Sequence, residues 1–507
     1  MTTRADARRS PPCHPTMLAA TTLGPAVSGF IAMLMLAGTM AACRAEELPG
    51  VAASGFAFKG SGLCVKCHRT EQGEWCDVAT TTVWRHDAHS RSHLALLPDN
   101  PRTRAMEHAL GIKAAETVSC VACHTHPAAE PPPEEEDDVV HAGISCETCH
   151  GAGAGYFEPH MEKRWRFLSV AEKGVLGMRD LRDPVLKAEN CLSCHLGDVA
   201  SGRVISHAMY AAGHPPLPAF EMETFSRAMG PHWKRVWEKA PRVQAAAAAA
   251  GYHTEAASET HRALVGTLVA LRSSATLVQD YARLAAEPGD RPQAPWPELA
   301  LYDCQACHHD LRIPSGRQAA GYGRLVPGRP TIARWPRAAA GVALAVAGQP
   351  DDVEALLSPW VAVLNRRPFG ADADLEPGAP ESLERIDAAI RALQAVRRDD
   401  GLDDRRREIA ERLSAAGLRC GDIDSARLVA WIMLGAMEGN AAWPAEARDA
   451  VAANLARDAA IGVPRPPAEA AALPPFWQTS LEAAANANLE TLRSAFRLPP
   501  AAQGSGR

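Results

Sequence analysis

The sequence predicts a mainly α-helical protein with much irregular structure, built in two parts. Residues 46–320 read as a domain organised around something other than side chains. Residues 321–507 read as an all-α helical domain. Three observations predict this. One five-residue pattern recurs five times, always before residue 310. The chain around it is punctuated by Gly and Pro and only weakly periodic. From about Pro327 the pattern stops, alanine becomes abundant and helical periods are clear.

The pattern is Cys-x-x-Cys-His. It reads Cys64-Val-Lys-Cys67-His68, Cys120-Val-Ala-Cys123-His124, Cys146-Glu-Thr-Cys149-His150, Cys191-Leu-Ser-Cys194-His195 and Cys304-Gln-Ala-Cys307-His308. Two thiols on one tight turn can each form a thioether with a haem vinyl group, and the next residue then offers its imidazole to the iron. The chemistry needs both cysteines, the spacing and the histidine together, and all five copies have them. The pattern therefore predicts five covalently attached haem c groups, with His68, His124, His150, His195 and His308 as proximal ligands. Zinc fits worse, because it takes four ligands per ion and an odd number of Cys-x-x-Cys pairs leaves one unmatched. A disulfide framework fits worse still, since a 507-residue chain does not need stapling.

Taken from the N-terminus, residues 1–45 read as an export signal. Arg4, Arg8 and Arg9 give a positive start, and an apolar stretch follows that includes Phe30-Ile-Ala-Met-Leu-Met-Leu-Ala37. Gly24, Pro25, Ser28 and Gly29 interrupt it, so the dense run is short for a membrane span. Met40-Ala-Ala-Cys43 loosely resembles a lipobox, which would place a lipid anchor on Cys43. Export agrees with haem attachment, which takes place outside the cytoplasmic membrane, so a periplasmic or cell-envelope location is expected. Cys13, Cys43, Cys76 and Cys420 are the cysteines outside the motifs.

Pro131 to Asp138 reads as an exposed acidic loop, a solvated charge run before it is a docking site. Leu264, Leu268, Leu271, Ala275 and Val278 recur at helical spacing and predict a long helix ahead of the fifth motif. Farther on, Leu383, Ile386, Ile390 and Leu393 mark one face of another helix. Asp424 is the expected N-cap of the run carrying Leu428, Ile432 and Met433. Leu481 to Phe496 reads as a last helix before Pro499-Pro500. The net charge is −6, and no basic stripe with interleaved aromatics points to nucleic acid.

Five irons need distal ligands, and fourteen further histidines are available. His86, His89 and His93 lie on a predicted helix, with His89 and His93 sharing a face. His160 follows a glycine-rich turn, Gly151-Ala-Gly-Ala-Gly155, of the kind that lets backbone pass close to a haem face. His207 and His214 bracket Ala208-Met-Tyr-Ala-Ala-Gly213. His126, His141, His232, His253 and His261 are weaker candidates, and His309 could serve only a haem other than that of its neighbour His308. Met161 and Met209 are the rival ligands, read here as packing residues. No catalytic residue is assigned.

Ile144-Ser-Cys146-Glu-Thr-Cys149-His150-Gly151, Tyr156, His160, Cys191-Leu-Ser-Cys194-His195-Leu-Gly and His207-Ala-Met-Tyr-Ala-Ala-Gly-His214-Pro-Pro-Leu together resemble the multihaem cytochromes related to cytochrome c-554. Asp303-Cys304-Gln-Ala-Cys307-His308-His309-Asp-Leu resembles the last motif of the longer, planctomycete-type members. The resemblance spans roughly residues 60–315. It implies an exported, mainly helical electron carrier with closely packed haems and redox-protein partners. It supports His89 and His160 as distal ligands, with one or both of His207 and His214. The departure is the fifth motif, which follows an insertion of about a hundred residues. The contrasting expectation is a multihaem oxidoreductase with one open iron acting on nitrite or hydroxylamine.

Overall fold

The chain divides into two units, Met1–Leu48 and Pro49–Arg507. The computed structural model describes residues 55–68, 80–126, 143–229, 232–252, 258–286, 296–309, 311–369, 379–396 and 405–437, and a few positions beyond. The export signal with Cys43, the cysteines Cys13 and Cys76, the acidic run 131–138, His141, His253 and most of the expected last helix lie outside the described residues. Among the described residues every element is a helix or a 3₁₀ turn, and the β structure amounts to two isolated bridges, Asp198 with Arg203 and Tyr302 with Ile332. No described helix is long and apolar enough to cross a membrane.

The helices that position the motifs are α1 (Ser61–Cys67), α2 (Val118–His124), α3 (Cys146–His150), α4 (Pro184–His195) and α5 (His207–Ala211). The rest of the framework is α6 (Met222–Met229), α7 (Glu259–Ala286), α8 (Ala340–Val346), α9 (Ala379–Ala395), α10 (Arg406–Arg419) and α11 (Ile423–Met437). With 28 residues, α7 is about 42 Å long at 1.5 Å per residue. Its expected stripe is real: Leu264, Leu268, Leu271, Ala275 and Val278 are all buried. Each fully buried leucine contributes about 1.5–3 kcal/mol. α7 packs against α4 and α6 on one side and α8, α9 and α11 on the other. Arg272 ties three of these helices together, reaching Glu189 of α4 and Asp387 of α9 at 2.8 Å.

The core that α7 organises runs from Ala188 to Phe496 without a break at residue 320. Before Ala188 the buried apolar residues are few: Val65, Ala114, Cys120, Ile144 and Ala152. This is the stretch that holds the first three motifs, and its side chains do not fill an interior.

Local chemistry corrects two expectations. The helix expected through His86, His89 and His93 is two elements, an α-helix over Thr80–His86 and a 3₁₀ turn over His89–Leu96. Asp87 causes the break: its carboxylate accepts from the His89 N–H at 2.8 Å and its carbonyl from the Ser90 hydroxyl. His89 and His93 therefore share no face, because a 3₁₀ turn repeats every three residues. The N-cap of α11 is Asp422, which accepts from the Ser425 N–H at 2.8 Å; Asp424 lies inside the first turn and pairs with Arg427. The glycine-rich turn after the third motif also has close protein neighbours. Gly151 sits at φ +89°, where a β-carbon would collide with the Gly177 carbonyl, and a β-carbon at Gly155 would collide with the Leu176 carbonyl and the Phe56 ring.

Candidate functional site

Four of the five motifs close on an α-helical turn. α1, α2 and α3 each carry one, and the last turn of α4 carries the fourth. Helical spacing sets the two sulfurs, at i and i+3, on one face. The fifth is built differently, on a 3₁₀ turn over Cys304–Ala306, with the His308 N–H donating to the Cys304 carbonyl at 2.7 Å. None of the ten motif cysteines is in a disulfide.

The motifs are close neighbours. The Cys64 thiol of the first lies close enough to Cys146 of the third for its own pKa to be raised, and the Cys123 thiol of the second is raised by Cys194 of the fourth. Burial pushes the Cys149 thiol up to about 11 and the Cys191 thiol up to about 12, and Cys149 adds to the rise at Cys191.

Four motif histidines each face a second imidazole. The His68 ring is 6.4 Å from His160 and within 15° of parallel. His195 is 6.1 Å from His89, and His124 is 6.4 Å from His214, both pairs near perpendicular. His308 is 6.1 Å from His207 at 22°. Two imidazoles that share one metal, each through a nitrogen about 2 Å from it, have ring centroids about 6 Å apart. The donor set thus fits a haem iron between each pair. Zinc would need four donors converging on one point, and among the described residues no group of three or more His, Cys, Asp or Glu side chains does so.

In four of these eight rings Nδ1 is already engaged. His160 Nδ1 donates to the carbonyls of Tyr156 and Phe157. His124 Nδ1 donates to the Ser92 carbonyl at 3.0 Å, and His214 Nδ1 to the Pro215 carbonyl at 2.7 Å. His89 Nδ1 meets the Asp87 carboxylate at 2.6 Å. Such bonds fix the tautomer with the proton on Nδ1 and leave Nε2 as the donor atom. That hydrogen bond to Asp87 raises the His89 pKa, against burial. Burial holds His195 down at about 4, and it also lowers His68 and His214. A neutral imidazole is the form that binds metal.

His150 of the third motif has no ring partner at this spacing among the described residues. Burial pushes its pKa down to about 4, with His232 and Arg179 adding to the shift. His232 stands edge-on to Trp233, 4.7 Å away. Other candidates have structural surroundings. His261 Nε2 is bonded to the Leu393 carbonyl at 2.7 Å, tying α7 to α9. His126 is buried 3.6 Å from Glu147, whose carboxylate also accepts from the Lys59, Gly60 and Gly153 amides. Met209 packs beside Ala114 and Cys120, and Met161 is exposed.

Sequence reasoning missed the residues that hold the imidazoles. Asp87, two positions before His89, could have been read as a local carboxylate partner. Ser92 and Glu298 could not, because they meet their partners 32 and 91 residues away.

Residues 63–151 match the family described as cytochrome c554 and c-prime. No curated protein and no solved structure matches the chain. The matched stretch holds the first three motifs, the neighbouring thiols of Cys64 and Cys146, and three of the imidazoles in the facing pairs. Over that stretch the chain is similar to the cytochrome c554 and c-prime family, which supports a c-type cytochrome that binds haem and transfers electrons.

Proposed function

We propose that this chain is an exported multihaem cytochrome that carries electrons over five haem c groups, four of them held between two histidines. The observation that carries the reading is the set of four imidazole pairs at 6.1–6.4 Å, each pairing a motif histidine with a histidine from elsewhere in the chain. Cys64 and Cys67, Cys120 and Cys123, Cys146 and Cys149, Cys191 and Cys194, and Cys304 and Cys307 form the thioethers. His68 with His160, His195 with His89, His124 with His214, and His308 with His207 are the axial pairs. Haem supplies one-electron iron chemistry, and two imidazole ligands keep the iron closed to substrate and its potential low. The protein's part is orientation: carbonyls and a carboxylate hold Nδ1 so that Nε2 is presented.

His150 is the proximal ligand of the third site. Its imidazole is electrostatically coupled to that of His232, and the second reading, in which one iron keeps an open face for a small nitrogen compound, stands or falls with turnover. Partners are a redox-protein donor and acceptor, and the location is periplasmic or cell envelope, with Cys43 as the anchor point if lipidated.

The test is haem content and turnover of the protein recovered from the cell envelope. Five haems per chain with no sustained turnover of nitrite or hydroxylamine is the expected result. Turnover of either would replace the carrier with the oxidoreductase, and a haem-free protein would sink both.

A further inference from the structure

The fifth site differs from the others in how its distal ligand is held. The Nδ1 bonds that orient His89, His124, His160 and His214 are local or come from a neighbouring turn. At the fifth site the structure offers a buried carboxylate instead. Glu298 is 3 % exposed, and its Oε1 accepts two backbone amides at once, from His207 at 2.7 Å and from Ala300 at 2.8 Å. The first amide belongs to the distal histidine. The second belongs to the 3₁₀ turn Leu299–Leu301, which leads into Cys304.

The other end of that turn is fixed independently. The Asp303 N–H donates to the Thr331 carbonyl at 2.7 Å, its carboxylate meets Arg334 at 2.9 Å, and the Tyr302 hydroxyl donates to the Phe369 carbonyl at 2.9 Å. The motif is thus anchored to the C-terminal helices. His207 sits at the start of α5, which is only five residues long. A carboxylate accepting amides forms strong, charge-assisted hydrogen bonds. One oxygen shared between the two ligand-bearing segments fixes their separation.

We propose that Glu298 is the positioning residue of the fifth haem site, setting the distance between distal His207 and the segment that presents Cys304, Cys307 and proximal His308. The proposal rests on the reading of His207 and His308 as an axial pair. It assigns Glu298 no contact with iron.

The experiment counts low- and high-spin haems by electron paramagnetic resonance in the oxidised full-length holoprotein, with redox titration beside it. Glu298→Ala should turn one haem of five high-spin and shift that haem's midpoint potential. Glu298→Gln, which keeps an acceptor oxygen in place, should retain the wild-type spin count. The double variant His207→Ala with Glu298→Ala should show one high-spin haem beyond wild type, the same one as His207→Ala alone. An unchanged count in Glu298→Ala, or two converted haems in the double variant, would overturn the proposal. If Glu298→Ala does not accumulate, Glu298→Asp replaces it. Its carboxylate, one methylene shorter, cannot reach both amides, so the same single conversion is expected and a wild-type count would be the contradiction. A haem-free wild-type protein would instead overturn the functional reading itself.

Discussion

Asp87 gives His89 a different partner from the backbone carbonyls that serve His124, His160 and His214. A carboxylate on Nδ1 makes Nε2 a stronger donor to iron, and loss of such outer partners costs about 10–100-fold in metal affinity or activity. Asp87→Asn should therefore leave the haem between His89 and His195 low-spin but raise its midpoint potential, seen as one upward-moving step in a redox titration. His89→Ala should turn the same haem high-spin. An unchanged titration in Asp87→Asn would mean the carboxylate does not tune this site. At this scale the sequence was informative about thiols and motif histidines, because Cys-x-x-Cys-His is local. It narrowed the distal histidines to a short set, and His89, His160, His207 and His214 are the ones the fold brings opposite motif histidines. Which faces which was not legible: His160 follows the third motif yet lies against the histidine of the first.

α7 was readable because its stripe is long and strictly periodic, and the structure buries all five of its marker residues. Leu268, fully buried at its middle, should cost about 2–5 kcal/mol when replaced by alanine, measured by denaturant unfolding. α6 is held to α7 by a buried ion pair, Glu223 with Arg262 at 2.7 Å, joined by Lys187 of α4 at 3.4 Å. Burial pushes the Glu223 carboxyl up, but Arg262 and Lys187 outweigh it and hold the group below the ordinary carboxylate range. A lowered carboxylate pKa gives stability that is full above the unfolded value and is lost as pH falls through the folded one. Glu223→Ala should thus cost about 3 kcal/mol near neutral pH. The difference from wild type should shrink as the solution is acidified below the unfolded carboxylate value. A pH-independent difference would show that the charge plays no part. In α10, a β-carbon at Gly417 would fall 2.6 Å from the Phe496 ring. Gly417→Ala should cost about 1–3 kcal/mol by overpacking. That neighbour is 79 residues away in sequence, which is why no local pattern announced it. The break after His86 and the cap at Asp422 were missed for the opposite reason: both depend on which carboxylate wins a single amide, a choice that periodicity does not encode.

Over the whole molecule, in the proposed reading, side chains and haem divide the work of filling space. From Ala188 onward a continuous apolar core surrounds α7, and before it the buried apolar residues are sparse around the first three cysteine–histidine turns. The sequence showed this contrast as a change in punctuation and composition near Pro327. It did not show that α7, on the near side of that change, is covered mainly by helices from the far side. Truncation before residue 321 would strip α8, α9, α10 and α11 from α7, together with Thr331, Arg334 and Phe369 that anchor the approach to the fifth motif. Soluble truncated protein is not expected, and a stable truncation with five haems would contradict this dependence. The central claim is that four irons sit between paired histidines. The most direct test is a spin count of the oxidised holoprotein by electron paramagnetic resonance, with haem quantified per chain. Five haems with at least four low-spin signals is the result predicted, and two or more high-spin haems in the unmodified protein would contradict it.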